Sequence, residues 1–179
     1  MFLDLNKKNR SAIAVIDDNM ESVTYGDLCN FSEEFARFLS KRTLIFILAE
    51  NTIGSLLGYI ATLSNKIVPL IISRNTDIEL YDRLYNMYNP EYLWAPEEMT
   101  KTLEGHVIYE SHKYVLIETG LTPAQLHNDL SMLLPTSGSP GSPKLVRPSY
   151  RNIEANARTV AQFFQLTHSE IAMAVLPLT

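Results

Sequence analysis

The sequence predicts an α/β fold: a mostly parallel sheet flanked by helices, of the kind that forms the N-terminal part of a larger domain. Three observations carry that expectation. Strand-like and helix-like runs alternate through the first half of the chain, the pattern of a sheet with helices on its faces. Two of the strand-like runs, Thr43–Leu48 and Ile67–Ile72, are apolar at successive positions, as in strands covered on both sides. The composition, 46% hydrophobic and 20% charged over 179 residues, is that of an ordinary globular chain, long enough to bury about 70% of its unfolded surface.

Taken in order, Ala12–Ile16 is a short apolar run that ends in the turn cluster Asp17-Asp18-Asn19. Thr24 with Asp27 three residues later predicts a helix N-cap pair, and Leu28, Phe31, Phe35, Phe38 and Leu39 recur on one helical face. Thr43–Leu48 is a strand, Thr52–Ser64 a helix with Gly54 and Gly58 on one side, and Ile67–Ile72 another strand. Thr76 with Glu79 predicts a second capping box, opening a helix that ends near Tyr88, before Asn89-Pro90. Glu91–Trp94 is a strand. Val107–Glu110 and Lys113–Glu118 read as a hairpin, and Gly120–Asp129 as loop. Ser131–Leu134 is a strand, Lys144–Val146 is extended, and Tyr150–Phe164 is a helix with Ile153, Ala157, Val160, Ala161 and Phe164 on one face. Ile171–Leu176 is expected to be a final strand, buried on both faces. The predicted organisation is a lobe over residues 1–130 and a hairpin, helix and strand over 131–179.

Charge and residue counts exclude several function classes. A net charge of -5 with no basic stripe argues against a nucleic-acid partner. A single cysteine, Cys29, rules out an internal disulfide, and its setting among Leu28, Phe31 and Phe35 is that of a buried small side chain. His106, His112, His127 and His168 are scattered without ligand spacing, so no metal site is predicted. Glu33-Glu34 and Glu97-Glu98 read as solvated pairs, and Tyr81, Leu84, Tyr85 and Tyr88 as a packing stripe. No apolar run reaches the roughly 20 residues of a membrane span, and the opening MFLDLNKKNR has no apolar leader. The expectation is a cytoplasmic protein.

Chemistry concentrates in LLPTSGSPGSPKLVRPS, residues 133–149. A Walker-type loop needs Gly-Lys followed by Ser or Thr, whereas Lys144 stands between Pro143 and Leu145. The spacing of a dinucleotide fingerprint is absent as well. What remains is a loop between two strands that wraps a polyphosphate, or a polar surface loop with no ligand. For the first, glycine lets backbone N–H groups approach an anion, hydroxyls donate to its oxygens and Lys144 adds a charge. About 4 Å from an oxygen, that charge contributes roughly 1 kcal/mol in water and about 4 at a partly screened surface.

The order Thr136-Ser137-Gly138-Ser139-Pro140-Gly141-Ser142-Pro143-Lys144 resembles the phosphate-binding signature of the adenylate-forming superfamily (acyl-CoA synthetases, aryl-CoA ligases, luciferases and peptide-synthetase adenylation domains). The family pattern is Ser/Thr-Ser-Gly-Ser/Thr-Thr-Gly-x-Pro-Lys, and Pro140 is the one departure. The flanks agree. Thr24-Tyr25-Gly26-Asp27-Leu28 is similar to the family's Thr-Tyr-Gly-Glu-Leu, Asn51–Pro69 to its Asn-helix-Val-Pro-Leu segment, and Ser149 with Asn152 to its Ser-His-x-Asn, with Tyr150 in place of histidine. Leu176-Pro177 resembles the opening of the next core motif.

The resemblance implies an enzyme that activates a small-molecule carboxylate with ATP and Mg2+, then passes the acyl group to coenzyme A or a carrier thiol. It implies that Thr136, Ser137, Gly138, Ser139, Gly141 and Lys144 bind the ATP phosphates, while Pro140 has neither hydroxyl nor N–H to offer. The family's Tyr-Gly-x-Thr-Glu segment, ribose-binding aspartate and catalytic lysine have no counterpart here. The chain is therefore expected to be an N-terminal fragment of a ligase, inactive alone, with its catalytic residues beyond Thr179 and with self-association through an open C-terminal strand. A non-catalytic interaction or anion-binding module is the alternative.

Overall fold

The structure, a computed structural model, describes residues 3–122, 125–135 and 144–178. Its axis is β3 (Leu44–Ala49), whose six residues are all buried. β4 (Val68–Ser73) and β5 (Tyr92–Pro96) flank it in parallel, in registers that include Phe46 with Leu70 and with Leu93. β6 (His106–Ser111) and β7 (Tyr114–Glu118) form the expected hairpin, and β7 adds to β5 antiparallel, giving the order β4-β3-β5-β7-β6. The sheet is thus mixed. Its parallel half is the one the helices build, because parallel neighbours need crossovers of a dozen residues or more.

Those crossovers lie on opposite faces. After a small hairpin of β1 (Ile13–Ile16) and β2 (Ser22–Thr24), closed by Asn19 and Glu21 amides on Asp17 Oδ1 at 3.0 and 2.8 Å, come α1 (Tyr25–Phe35) and then α2 (Ile53–Ser64). Leu28, Phe31 and Phe35 of α1 and Ile53, Leu57 and Ala61 of α2 pack on the face carrying Ile45, Ile47, Trp94 and Leu116. α3 (Ile78–Tyr88) covers the other face: Leu84 is buried there with Leu44, Phe46, Leu70 and Leu93, and Tyr81, Tyr85 and Tyr88 pack around it. The alternation of side chains along the strands separates the two cores. Burial pushes the Tyr81 phenol well above its ordinary range.

Trp94 shows why α2 carries Gly58. A Cβ on Gly58 would stand 2.2 Å from its Cδ1, so the helix can lie against the indole only with no side chain there. Its Nε1 donates to Gly54 O at 2.8 Å, which satisfies the one polar atom of a fully buried ring. Cys29 is buried, as its neighbours predict.

Two expectations are corrected. The cap of α3 is Asp77, not Thr76: its Oδ1 accepts from the Glu79 and Leu80 amides at 2.9 and 3.4 Å, whereas the Thr76 amide closes a turn on Ser73 O. The carboxylate one residue nearer the helix reaches the first-turn donors. The final strand is absent: residues 171–178 have no strand pairing, and Ile171 is 98% exposed. An apolar run becomes a buried strand only where a neighbouring edge and two covering faces exist, and the described residues offer it neither.

Candidate phosphate-binding hairpin

The stretch singled out in the sequence sits on a small antiparallel hairpin, β8 (Leu134–Pro135) with β9 (Leu145–Val146). Its stem is tied to the sheet by backbone. Leu133 bridges Leu70 in parallel: its amide donates to Pro69 O at 2.8 Å and its carbonyl accepts from Ile71 N at 3.3 Å. Below that, Ser131 is fully buried, and both its amide and its Oγ donate to Pro148 O at 2.9 and 2.7 Å. Leu130 bridges Ser149, and the Tyr150 amide donates to Asp129 O at 3.3 Å.

One side chain holds this stem from behind. Arg42, in the left-handed region at φ 58°, donates to Lys66 O at 2.9 Å, to Leu130 O at 2.6 Å and to His127 O. It therefore joins the start of β3, the turn before β4 and the approach to β8. A guanidinium with several forked donors suits three carbonyls that converge from three segments. Nothing in the sequence singles out Arg42, since its partners lie up to 88 positions away.

Because the approach to β8 runs parallel to β4, the hairpin's connection opens at the Pro135–Leu145 end, toward the carboxyl ends of β3, β4 and β5. In open α/β sheets that is the ligand-binding end. Thr136, Ser137, Gly138, Ser139 and Gly141, expected to bind phosphate, lie outside the described residues; Lys144 is exposed immediately before β9. The C-terminal flank of the hairpin is α4 (Tyr150–Phe163), opened by a capping box. The Asn152 amide donates to Ser149 Oγ at 3.1 Å and the Ser149 amide to Asn152 Oδ1 at 2.9 Å. The Ser-x-x-Asn pair matched to the family pattern thus has a structural part: it starts the helix after the loop.

An ion triad crosses the carboxyl end of the sheet. Arg74, just after β4, donates to Glu50, after β3, at 3.0 Å and to Glu98, after β5, at 2.6 Å. Hydrogen bonds to Glu50 and then Glu98 hold the guanidinium above its ordinary pKa; its own amide, then Arg74, hold the Glu98 carboxyl below the usual range. A cavity of about 260 Å³ lies beside the triad, lined by Glu50, Asn51, Ser73 and Arg74 with Val175 and Pro177. A larger cavity, about 590 Å³, lies behind the stem at the opposite end, with Leu44, Leu126, Leu130 and Leu133 on its walls. The described stem, β8 and β9, points toward the end of the sheet where the smaller one lies. Among the described residues no group of three or more His, Cys, Asp or Glu side chains could hold a metal, and no helix is long and apolar enough to cross a membrane.

A search of the curated proteins by sequence finds no match. Solved structures match the fold. Apo MatB from Rhodopseudomonas palustris superposes with a TM-score of 0.77 at 16% identity, over 98% of this chain and 40% of that one. The o-succinylbenzoate CoA synthetase MenE from Bacillus subtilis, solved with its acyl-adenylate intermediate, gives 0.71 at 18% identity, over 99% of this chain and 49% of that one. A nonribosomal peptide synthetase, FmoA3, solved with AMPPNP, gives 0.73 at 19%, over 99% of this chain and 20% of that one. The chain thus spans half or less of the length of these neighbours. The sequence profile described as AMP-binding enzyme matches residues 3–179, and the chain accordingly belongs to the AMP-binding family of adenylate-forming enzymes.

Proposed function

We propose that this chain supplies the phosphate-binding part of an ATP-dependent ligase that joins a small-molecule carboxylate to AMP and hands the acyl group to coenzyme A or a carrier thiol. The observation that carries the reading is the nine-residue signature Thr136–Lys144, which lies in sequence between β8 and β9 of a stem directed toward the carboxyl ends of the parallel strands β3, β4 and β5, in a chain matched over residues 3–179 by the family profile. MenE solved with ATP and a magnesium ion, similar at 18% identity and a TM-score of 0.72, supports the same nucleotide chemistry.

The described residues fit a nucleotide in one respect: an exposed lysine stands at the mouth of a hairpin whose stem is fixed by buried hydrogen bonds. In this reading Thr136, Ser137, Gly138, Ser139 and Gly141 donate hydroxyl and amide hydrogens to the β- and γ-phosphates, and Lys144 adds its charge. ATP supplies the leaving group, pyrophosphate. The protein's share is to hold those oxygens still and offset the charge that collects on them. Arg42, Ser131 and the Leu133 ladder keep the stem in place. Pro140 contributes rigidity and no donor. Such an enzyme works in the cytoplasm, where ATP and coenzyme A are held.

Calorimetry with AMPPNP and Mg2+ tests the reading on this chain. Binding is expected, and Lys144→Ala is expected to weaken it about ten- to a hundredfold, the loss of one charge-assisted contact. No binding, or equal binding by the variant, overturns the reading in favour of a non-catalytic module. The chain by itself is expected not to support carboxylate-dependent ATP–pyrophosphate exchange; exchange above background would overturn that part alone.

A further inference from the structure

The segment 174–178 has no ladder partner, yet its path is fixed. Asn51, the residue before the N-cap of α2, donates from Nδ2 to Ala174 O at 3.2 Å and to Leu176 O at 2.9 Å, and its Oδ1 accepts from the Leu178 amide at 3.0 Å. These contacts span 123, 125 and 127 positions. A carboxamide suits them because it presents two donors and an acceptor on a short stem, where aspartate would lose the donors and leucine everything. Leu178 adds an apolar anchor against the core on the α1–α2 face. Held this way, Val175 and Pro177 wall the 260 Å³ cavity whose other side is Glu50, Ser73 and Arg74. The hairpin connection opens at the same end of the sheet, beside β4.

We propose that Asn51 is a positioning residue: it fixes segment 174–178 across the carboxyl ends of β3 and β4 as one wall of the cleft in which the carboxylate meets the nucleotide. This role rests on the ligase reading. Asn51 acts through the backbone it holds and needs no contact with substrate.

Site-resolved amide exchange on this chain, with and without saturating AMPPNP and Mg2+, tests the role. In Asn51→Ala the Leu178 amide is expected to exchange roughly tenfold faster, the loss of one hydrogen bond, while Phe46 and Leu48 in β3 stay slow and report an intact fold. Asn51→Asp, which keeps the acceptor, is expected to retain slow exchange at Leu178. AMPPNP is expected to slow exchange across 174–178 in the parent chain and not in Asn51→Ala, a response that a merely structural tether would not give. Unchanged Leu178 exchange in Asn51→Ala overturns the tether. Equal AMPPNP responses in the parent and Asn51→Ala overturn the positioning role. A parent chain that shows no AMPPNP binding by calorimetry sinks the ligase reading and the role together, and Leu178 exchange still decides the tether.

Discussion

α1 and α4 are built alike and end differently. Both open with a capping box, and both carry an apolar face at helical spacing. In α1 that face is buried: Leu28, Phe31 and Phe35 pack against Trp94 and the sheet, with Phe35 and Trp94 edge to face at 5.0 Å. In α4 no residue is buried, Phe163 is 78% exposed, and Ile153 and Ala161 are only partly covered. Periodicity specifies which side of a helix is apolar; it does not say whether the surface that side requires is in the same stretch of chain. The energetic consequence is that α1 is held by tertiary packing and α4 by local terms, chiefly its cap and the Glu154–Arg158 pair at 2.6 Å.

The largest expected effect breaks the comparison at its aromatic rings. Trp94→Ala removes a fully buried indole together with its hydrogen bond to the Gly54 carbonyl and leaves a cavity; the cost is expected to be about 3–5 kcal/mol. Phe163→Ala removes a ring that is mostly in water already and is expected to change stability by no more than about 0.5 kcal/mol. Urea unfolding of the two variants against the parent measures both. Comparable losses would mean that α4 is as well packed as α1.

The same contrast explains what could be read before the fold was seen. The strands β3, β4 and β5, the Thr24–Asp27 cap and the Tyr81–Tyr88 stripe were legible because each is decided by neighbours within a few positions: an apolar run, a box three residues long, a repeat of three and four. The strand expected at Ile171–Leu176 was not, because a strand requires an edge to pair with, and that requirement is written elsewhere in the chain. The candidate site was singled out by the order Thr136–Lys144, of which Lys144 alone lies among the described residues. Its supports were not: Arg42, Asn51 and the Glu50–Arg74–Glu98 triad are single residues whose partners lie 24 to 127 positions away. One part of the pattern was legible for an incomplete reason. Ser149 and Asn152 matched the family sequence, and the structure gives them a capping box.

An intermediate effect sharpens the comparison. Thr24→Ala and Ser149→Ala each remove the side chain of a capping box, and each is expected to cost about 1 kcal/mol of helix stability. The losses should appear in different observables. With its face buried, α1 keeps its helical content and the cost emerges as a lower unfolding midpoint. With no buried face, α4 has little else to hold its first turn, so Ser149→Ala is expected to lower far-UV helical signal and speed exchange of the Asn152 and Ile153 amides while the midpoint moves less. Equal loss of native helical signal in both variants would show that packing does not distinguish the two helices.

The smallest effect separates the two caps by their third residue. α1 uses Asp27, whose Oδ2 accepts from the Thr24 amide at 2.9 Å and the Thr24 hydroxyl at 2.6 Å; α4 uses Asn152, which has no proton to gain. The hydrogen bond from the Thr24 side chain, then the one from its backbone, holds the Asp27 carboxyl below its ordinary value of 3.8. A folded-state pKa below the unfolded one means that the ionised cap stabilises the protein above the ordinary carboxylate range, and that this contribution is lost as pH falls through the folded value. Acidification should therefore loosen the start of α1 and leave the start of α4 alone. Because Asp27 is exposed, the change is expected to be local and screened by salt. Amide shifts of Thr24 and Asp27 followed from about pH 5 to pH 2 should titrate together with a midpoint below 3.8, those of Ser149 and Asn152 should stay flat, and Asp27→Asn should flatten the first pair. A midpoint at or above the ordinary value would remove the cap's charge from the account of why α1 begins where it does.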